Sequence, residues 1–155
     1  MSMNWNFKAE IVLNDLGKEV VAAFYKIVRP ADAFGDDVYN YAWRRLAKKY
    51  PILKGFVDVG EADAIPFRYY AGKRTTHELT NQGAVWKIDC DLNSHYARTL
   101  SDAFVEIVIP LIAAKATCVR VYEETPGREE VWEYIDGKQS DSGWMDKLNR
   151  GYDPY

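Results

Sequence analysis

The stretch from Thr99 to Ile135 constrains this chain most. It reads as one helix delivered into one β-hairpin. Phe104, Ile107, Val108 and Leu111 recur at helical spacing and form one apolar stripe, and Thr99 or Ser101 can cap its start. Pro110 removes a backbone N–H, which predicts a kink or an early end there. Thr117–Glu124 and Glu130–Ile135 alternate as strands around a Thr-Pro-Gly-Arg turn. Val119 and Val121 share a face of the first strand; Val131, Glu133 and Ile135 alternate with Trp132 and Tyr134 in the second. A helix stripe and a sheet face must be buried together, so the expected class is α+β.

Upstream, residues 5–13 alternate, with Trp5, Phe7, Ala9 and Ile11 on one side of a half-buried strand. Asn14-Asp-Leu-Gly17 is turn chemistry. Residues 18–29 are ambiguous. Val20, Val21, Phe24, Ile27 and Val28 fit a helix, yet the β-branched and aromatic content after a turn fits a hairpin, and Pro30 ends either. Asp36–Tyr50 reads as an amphipathic helix through Tyr39, Trp43, Leu46 and Tyr50, stopped by Pro51. Residues 51–85 read as a β/loop segment, with short strands at 55–60 and 65–70 and a polar loop at 71–83. Val85–Leu92 alternates, with Trp86, Ile88, Cys90 and Leu92 on one side. The expected organisation is one domain over 1–137 and a polar arm over 138–155, docked through Trp144.

Composition narrows the function classes. A chain of 155 residues suits one domain with a sizeable core. A net charge of -3 gives no electrostatic case for nucleic acid or an anionic membrane. No apolar run approaches the roughly 20 residues of a membrane span. Cys90 and Cys118 read as two free thiols, and the N-terminus has no basic segment followed by an apolar run, so the expected location is the cytoplasm. Aromatic residues make up 14% of the chain, which favours large packed surfaces.

Few residues suggest chemistry. His77 and His95 are the two histidines, and neither stands at the spacing of a zinc site, so no metal or other cofactor is expected. Asp89-Cys90-Asp91 on a strand places both acids on one face with the thiol opposite. Such a pair can do acid–base work or sit as solvated acids at a strand edge. Asp89, Cys90 and His95 are therefore the candidate catalytic groups. Glu123 and Glu124 end a strand, where a carboxylate can accept two N–H donors from a ring edge.

Four pieces also occur in a familiar order: Phe7-Lys-Ala-Glu-Ile11, Leu16-Gly-Lys through Arg29-Pro30, Asp32-Ala-Phe-Gly-Asp36, and Ile88-Asp-Cys-Asp-Leu-Asn93 followed by a helix and Val119-Arg-Val-Tyr-Glu123. Together they resemble the 6-pyruvoyltetrahydropterin / 6-carboxytetrahydropterin synthase family, of T-fold architecture, over roughly two thirds of the chain. The resemblance implies that 18–29 is a strand, giving an N-terminal hairpin, two helices and a C-terminal hairpin. It also implies a trimer or hexamer whose hairpins close a barrel. Its zinc histidines would fall on Ile11, Leu16 and Lys18, and its nucleophilic cysteine on Val12. Its Asp-His pair would fall on Asp89-Cys90, with the acid kept, and its ring-anchoring glutamate on Glu123, with Glu124 beside it.

The expected function is thus non-catalytic: binding of a pterin- or purine-like ring at Glu123 and Glu124, or assembly as a homo-oligomer. The rivals are an enzyme with a rebuilt site and a small inhibitor or immunity-type protein that binds a protein partner. No nucleic acid or membrane partner is expected.

Overall fold

A computed structural model describes residues 4–27, 42–59, 76–93, 97–122 and 129–142. Strand β1 (Asn4–Leu13) leads into α1 (Asp15–Ile27). Next come α2 (Ala42–Lys49), a 3-10 turn over Pro51–Leu53 and the short α3 (Lys54–Val57). Strands β2 (Thr76–Thr80) and β3 (Val85–Asn93) form a hairpin. Helix α4 (Ala97–Ala103) continues through a π turn over Phe104–Val108 into α5 (Ile109–Ile112). The chain then enters β4 (Ala113–Tyr122), β5 (Glu129–Ile135) and β6 (Lys138–Ser142).

These strands make one antiparallel sheet of order β2-β3-β1-β4-β5-β6. Among the described residues, α1 to α3 lie between β1 and β2 in sequence and α4 and α5 lie between β3 and β4, while β1 sits between β3 and β4 in the sheet. The α+β class and the antiparallel sheet agree with the sequence reading.

The N-terminal hairpin expected from the resemblance is not formed: residues 15–27 are helical. The physical reason lies at the turn. Asn14 caps α1, its Oδ1 accepting the Gly17 N–H at 2.7 Å. The Asn14 amide donates to the Leu111 carbonyl at 3.0 Å, and its backbone N–H to that of Ile112 at 2.9 Å. One residue thus starts α1 and satisfies carbonyls at the end of α5. Gly17 permits this crossing, because a Cβ there would run into the Ile112 carbonyl oxygen. Gly17, Val20, Val21 and Phe24 then turn the buried stripe of α1 inward.

Other expectations shift for local reasons. The strand expected at 55–60 is the α3 turn over Lys54–Val57, and the loop expected at 71–83 contains β2. The strand expected at 65–70 lies outside the described residues. Pro110 neither breaks nor ends its helix at once: the π turn precedes it, with the Ile109 N–H bonded to the Phe104 carbonyl. The arm expected from Lys138 begins with a sixth strand, turned by Asp136 (φ 49°) and Gly137 (φ 84°), the geometry of a two-residue hairpin.

The core lies between the helices and one face of the sheet. Phe104 packs edge-on against Phe7 of β1 at 5.7 Å and against Trp43 of α2 at 6.3 Å. Phe24 of α1 meets Trp86 of β3 at 5.5 Å. Such tilted and edge-on ring pairs add to the burial of large apolar area. Among the described residues, no helix is long and apolar enough to cross a membrane.

Candidate functional site

Three polar clusters and one surface emerge from this framework. The first is on the inner face at the β4–β5 end. Alternation along β4 turns Ala116, Cys118, Arg120 and Tyr122 inward. Arg120 is fully buried. Its Nη1 donates to Ser101 Oγ at 2.9 Å and to Asp102 Oδ1 at 2.7 Å, and its Nη2 donates to Glu130 Oε2 at 2.8 Å. The guanidinium also lies 5.2 Å from the centroid of the Trp5 ring. A buried cation needs such compensation, and two carboxylates with a hydroxyl supply it. The cluster ties the end of α4 to β4 and β5, which is a structural task. Ser101, one of the two expected caps, lies within α4 and serves Arg120 instead.

A second cluster sits where α1 ends over β2 and β3. Trp86 Nε1 donates to Tyr25 Oη at 3.1 Å, and Tyr25 Oη lies 2.6 Å from His77 Nδ1. Tyr25 Oη thus accepts from Trp86 Nε1 and shares one proton-carrying hydrogen bond with His77 Nδ1. Burial disfavours charge on both groups. It pushes the Tyr25 hydroxyl up to about 12, with a smaller contribution from the Glu78 charge, and holds His77 below its usual value. His77 also borders a recess of about 360 Å³ with Thr76, Glu78, Lys87, Ile88 and Asp89. A neutral imidazole fixed by a tyrosine beside a polar recess can accept or orient a proton.

The third cluster contains an expected pair. Asp89 and Asp91 lie on one side of β3, as the alternation predicts, with Cys90 in the core on the other. Asn6 of β1 clamps the two acids, its Nδ2 donating to one carboxylate oxygen of each at 2.9 Å. Cys90 and Cys118 are buried free thiols, and burial raises both far above the thiolate range. The Asp89 and Asp91 charges push Cys90 further in the same direction. Cys90 is thus a fully buried thiol held toward its neutral form. His95, Glu123 and Glu124 lie outside the described residues. No group of three or more metal-binding side chains occurs among the described residues.

The surface is the sheet face opposite the described helices, called the open face below. Register and alternation place Lys8 and Glu10 of β1 beside Asp89 and Lys87 of β3 respectively. On the other flank, Val119 of β4 lies beside Val131 of β5, with Val121 next along β4. These three valines are only half-buried. Val12 and Ile135 flank Lys115 at one end of the face and are 37% and 47% exposed. Sequence reasoning saw that Val119 and Val121 share a face but could not say which face is covered. The local pattern does not mark the Arg120 face as the covered one, because its compensating partners Ser101, Asp102 and Glu130 arrive through tertiary contacts. Tyr25 likewise carries no local signal, because its partners are 52 and 61 residues away. Comparison with protein-family models, with curated proteins and with solved structures returns no match.

Proposed function

We propose that this chain is a non-catalytic binding and assembly protein that works through the open face of its sheet. The supporting observation is the half-buried Val119, Val121 and Val131 group beside a field of exposed charges on a sheet face opposite the described helices. Apolar side chains clustered within a polar surround are the composition of an interaction patch. The polar clusters of the described core support the same reading, since Arg120 and both thiols are committed to the interior. The test is sedimentation velocity over a concentration series, comparing the wild-type chain with Val119→Arg. Loss of self- or partner association in the variant, with an unchanged circular dichroism spectrum, supports the reading. Association unaffected by the substitution removes it.

A rebuilt catalytic site is the second reading. The observation favouring it is the Tyr25–His77 hydrogen bond beside the recess. Loss of any measured turnover in His77→Gln, with folding intact, would move the assignment to that site. Ring binding at Glu123 is a separate proposal drawn from the pterin synthase resemblance. Titration of a pterin into wild type and Glu123→Gln tests it, with about 1.5–3 kcal/mol of binding energy expected to be lost.

A further inference from the structure

We propose that the exposed basic corner made by α2 and the turns after it docks an acidic, extended segment of a partner protein. The corner is built from helical and turn residues alone, and it is independent of the sheet-face reading. Residues 42–59 carry five cations, Arg44, Arg45, Lys48, Lys49 and Lys54, against one acid, Asp58. All five cations are exposed. The whole chain is acidic, with a net charge of -3, so its charge is segregated rather than spread evenly. On the sheet, cations stand beside acids, Lys8 with Asp89 and Lys87 with Glu10. At the corner, no described acid forms an ion pair with Arg45, Lys48 or Lys54. Arg45 and Lys49 stand one turn apart on α2, and like charges at that spacing destabilise a helix. The helix dipole favours Lys48 and Lys49 in the last turn but gives little to Arg45.

The apolar groups at the corner narrow the partner further. Ile52 is 57% exposed in the turn between Lys49 and Lys54, beside the exposed Pro51. The neighbouring Trp43, Leu46, Leu53 and Phe56 are all buried. Tyr50 is half-buried, and its hydroxyl donates to Glu19 Oε1 at 2.8 Å. Lys49 Nζ lies 5.5 Å from the Tyr50 ring centroid, which holds this lysine at the corner. Residues four apart on a helix are about 6 Å apart along its axis. Alternate residues of an extended chain are about 6.6 Å apart. An extended segment laid along α2 with acids at alternate positions therefore meets Arg45 and Lys49 in step. An apolar residue beyond the acids can cover Ile52.

A bilayer or a long nucleic acid fits less well. Each is an extended anion and would face the acidic remainder of the chain as well as the corner. A short acidic segment acts only within a Debye length, about 8 Å, and feels the corner alone. A phosphate backbone also leaves Ile52 uncovered.

The experiment titrates the full chain into a fluorescein-labelled peptide with glutamates at alternate positions followed by leucine, read by anisotropy at about 150 mM salt. Saturable binding is expected. The double variant Arg45→Gln/Lys49→Gln should weaken it by about tenfold, and Ile52→Ser by about fivefold. Lys138→Gln, at an exposed position of β6, should leave it within about twofold. Circular dichroism checks that each variant is folded. No binding up to about 1 mM, or an equal loss in Lys138→Gln, overturns the proposal. Binding indifferent to Ile52→Ser would be charge attraction without docking and also overturns it. Tighter binding of phosphatidylserine vesicles or of a single-stranded oligonucleotide through Arg45 and Lys49 would assign the corner to that surface and overturn the protein-segment assignment.

Discussion

The two faces of β1, β3 and β4 are made by the same strands yet obey different rules. On the inner face of β1, Trp5, Phe7, Ala9, Ile11 and Leu13 are all buried, and each meets helices or neighbouring strands. The face even accepts a full charge, because Arg120 brings Asp102, Glu130 and Ser101 with it. On the open face the alternate residues Lys8, Glu10, Lys87 and Asp89 carry charges of alternating sign, and half-buried valines adjoin them. Inner residues are chosen by packing that is complete within one chain. On the open face unlike charges pair across strands, Lys8 with Asp89 and Glu10 with Lys87, while the half-buried valines have no described helix over them. The comparison separates what holds the domain together from what the domain presents.

Breaking the inner face should have the largest effect. Phe104→Ala removes the ring that touches Phe7, Trp43, Phe56 and Trp86, and should cost about 3–5 kcal/mol in urea unfolding. Glu130→Ala leaves the buried guanidinium with one carboxylate fewer and should cost about 3 kcal/mol by the same measurement. A cost near zero there would mean that solvent reaches Arg120.

The Tyr25–His77 pair sharpens the comparison through pH. His77 has its folded-state value lowered by burial, so the unfolded chain binds the extra proton first. Stability should therefore fall as pH drops below about 6.5, and His77→Gln should lack that component in thermal melts at paired pH values. Tyr25 behaves in the opposite sense. Its value is raised from 10.0 to about 12, so its contribution is present below pH 10 and is lost as pH rises through that interval. Tyr25→Phe should flatten the alkaline limb.

The smallest stability effect is expected on the open face. Val131→Thr should change monomer stability by about 0.5 kcal/mol or less, because the position is half-exposed and keeps its β-branched shape. A loss of several kcal/mol would show that the face is part of the fold's own core and would erase the contrast.

Much of the framework is legible in local pattern. The alternation of β1 and β3, the stripe through Phe104 and Val108, and the β4–β5 hairpin all follow from periodicity. So did the placement of Asp89 and Asp91 opposite Cys90. The sixth strand was also written locally, in Asp136-Gly137 between two strand-like runs, and that signal went unused. The helix over residues 15–27 was not decidable locally. Its deciding contacts, Asn14 and Gly17 against Leu111 and Ile112, join positions about a hundred residues apart. The same holds for the Tyr25–His77–Trp86 cluster and for the network around Arg120.

By itself, then, the sequence determined that this is an α+β chain with a large aromatic core, since period and composition act over a few residues at a time. Only the tertiary structure decided strand order, the identity of α1 and which side of the sheet faces outward. Those properties depend on which distant backbone groups meet and on which face the helices cover, and neither is encoded in the spacing of neighbouring side chains.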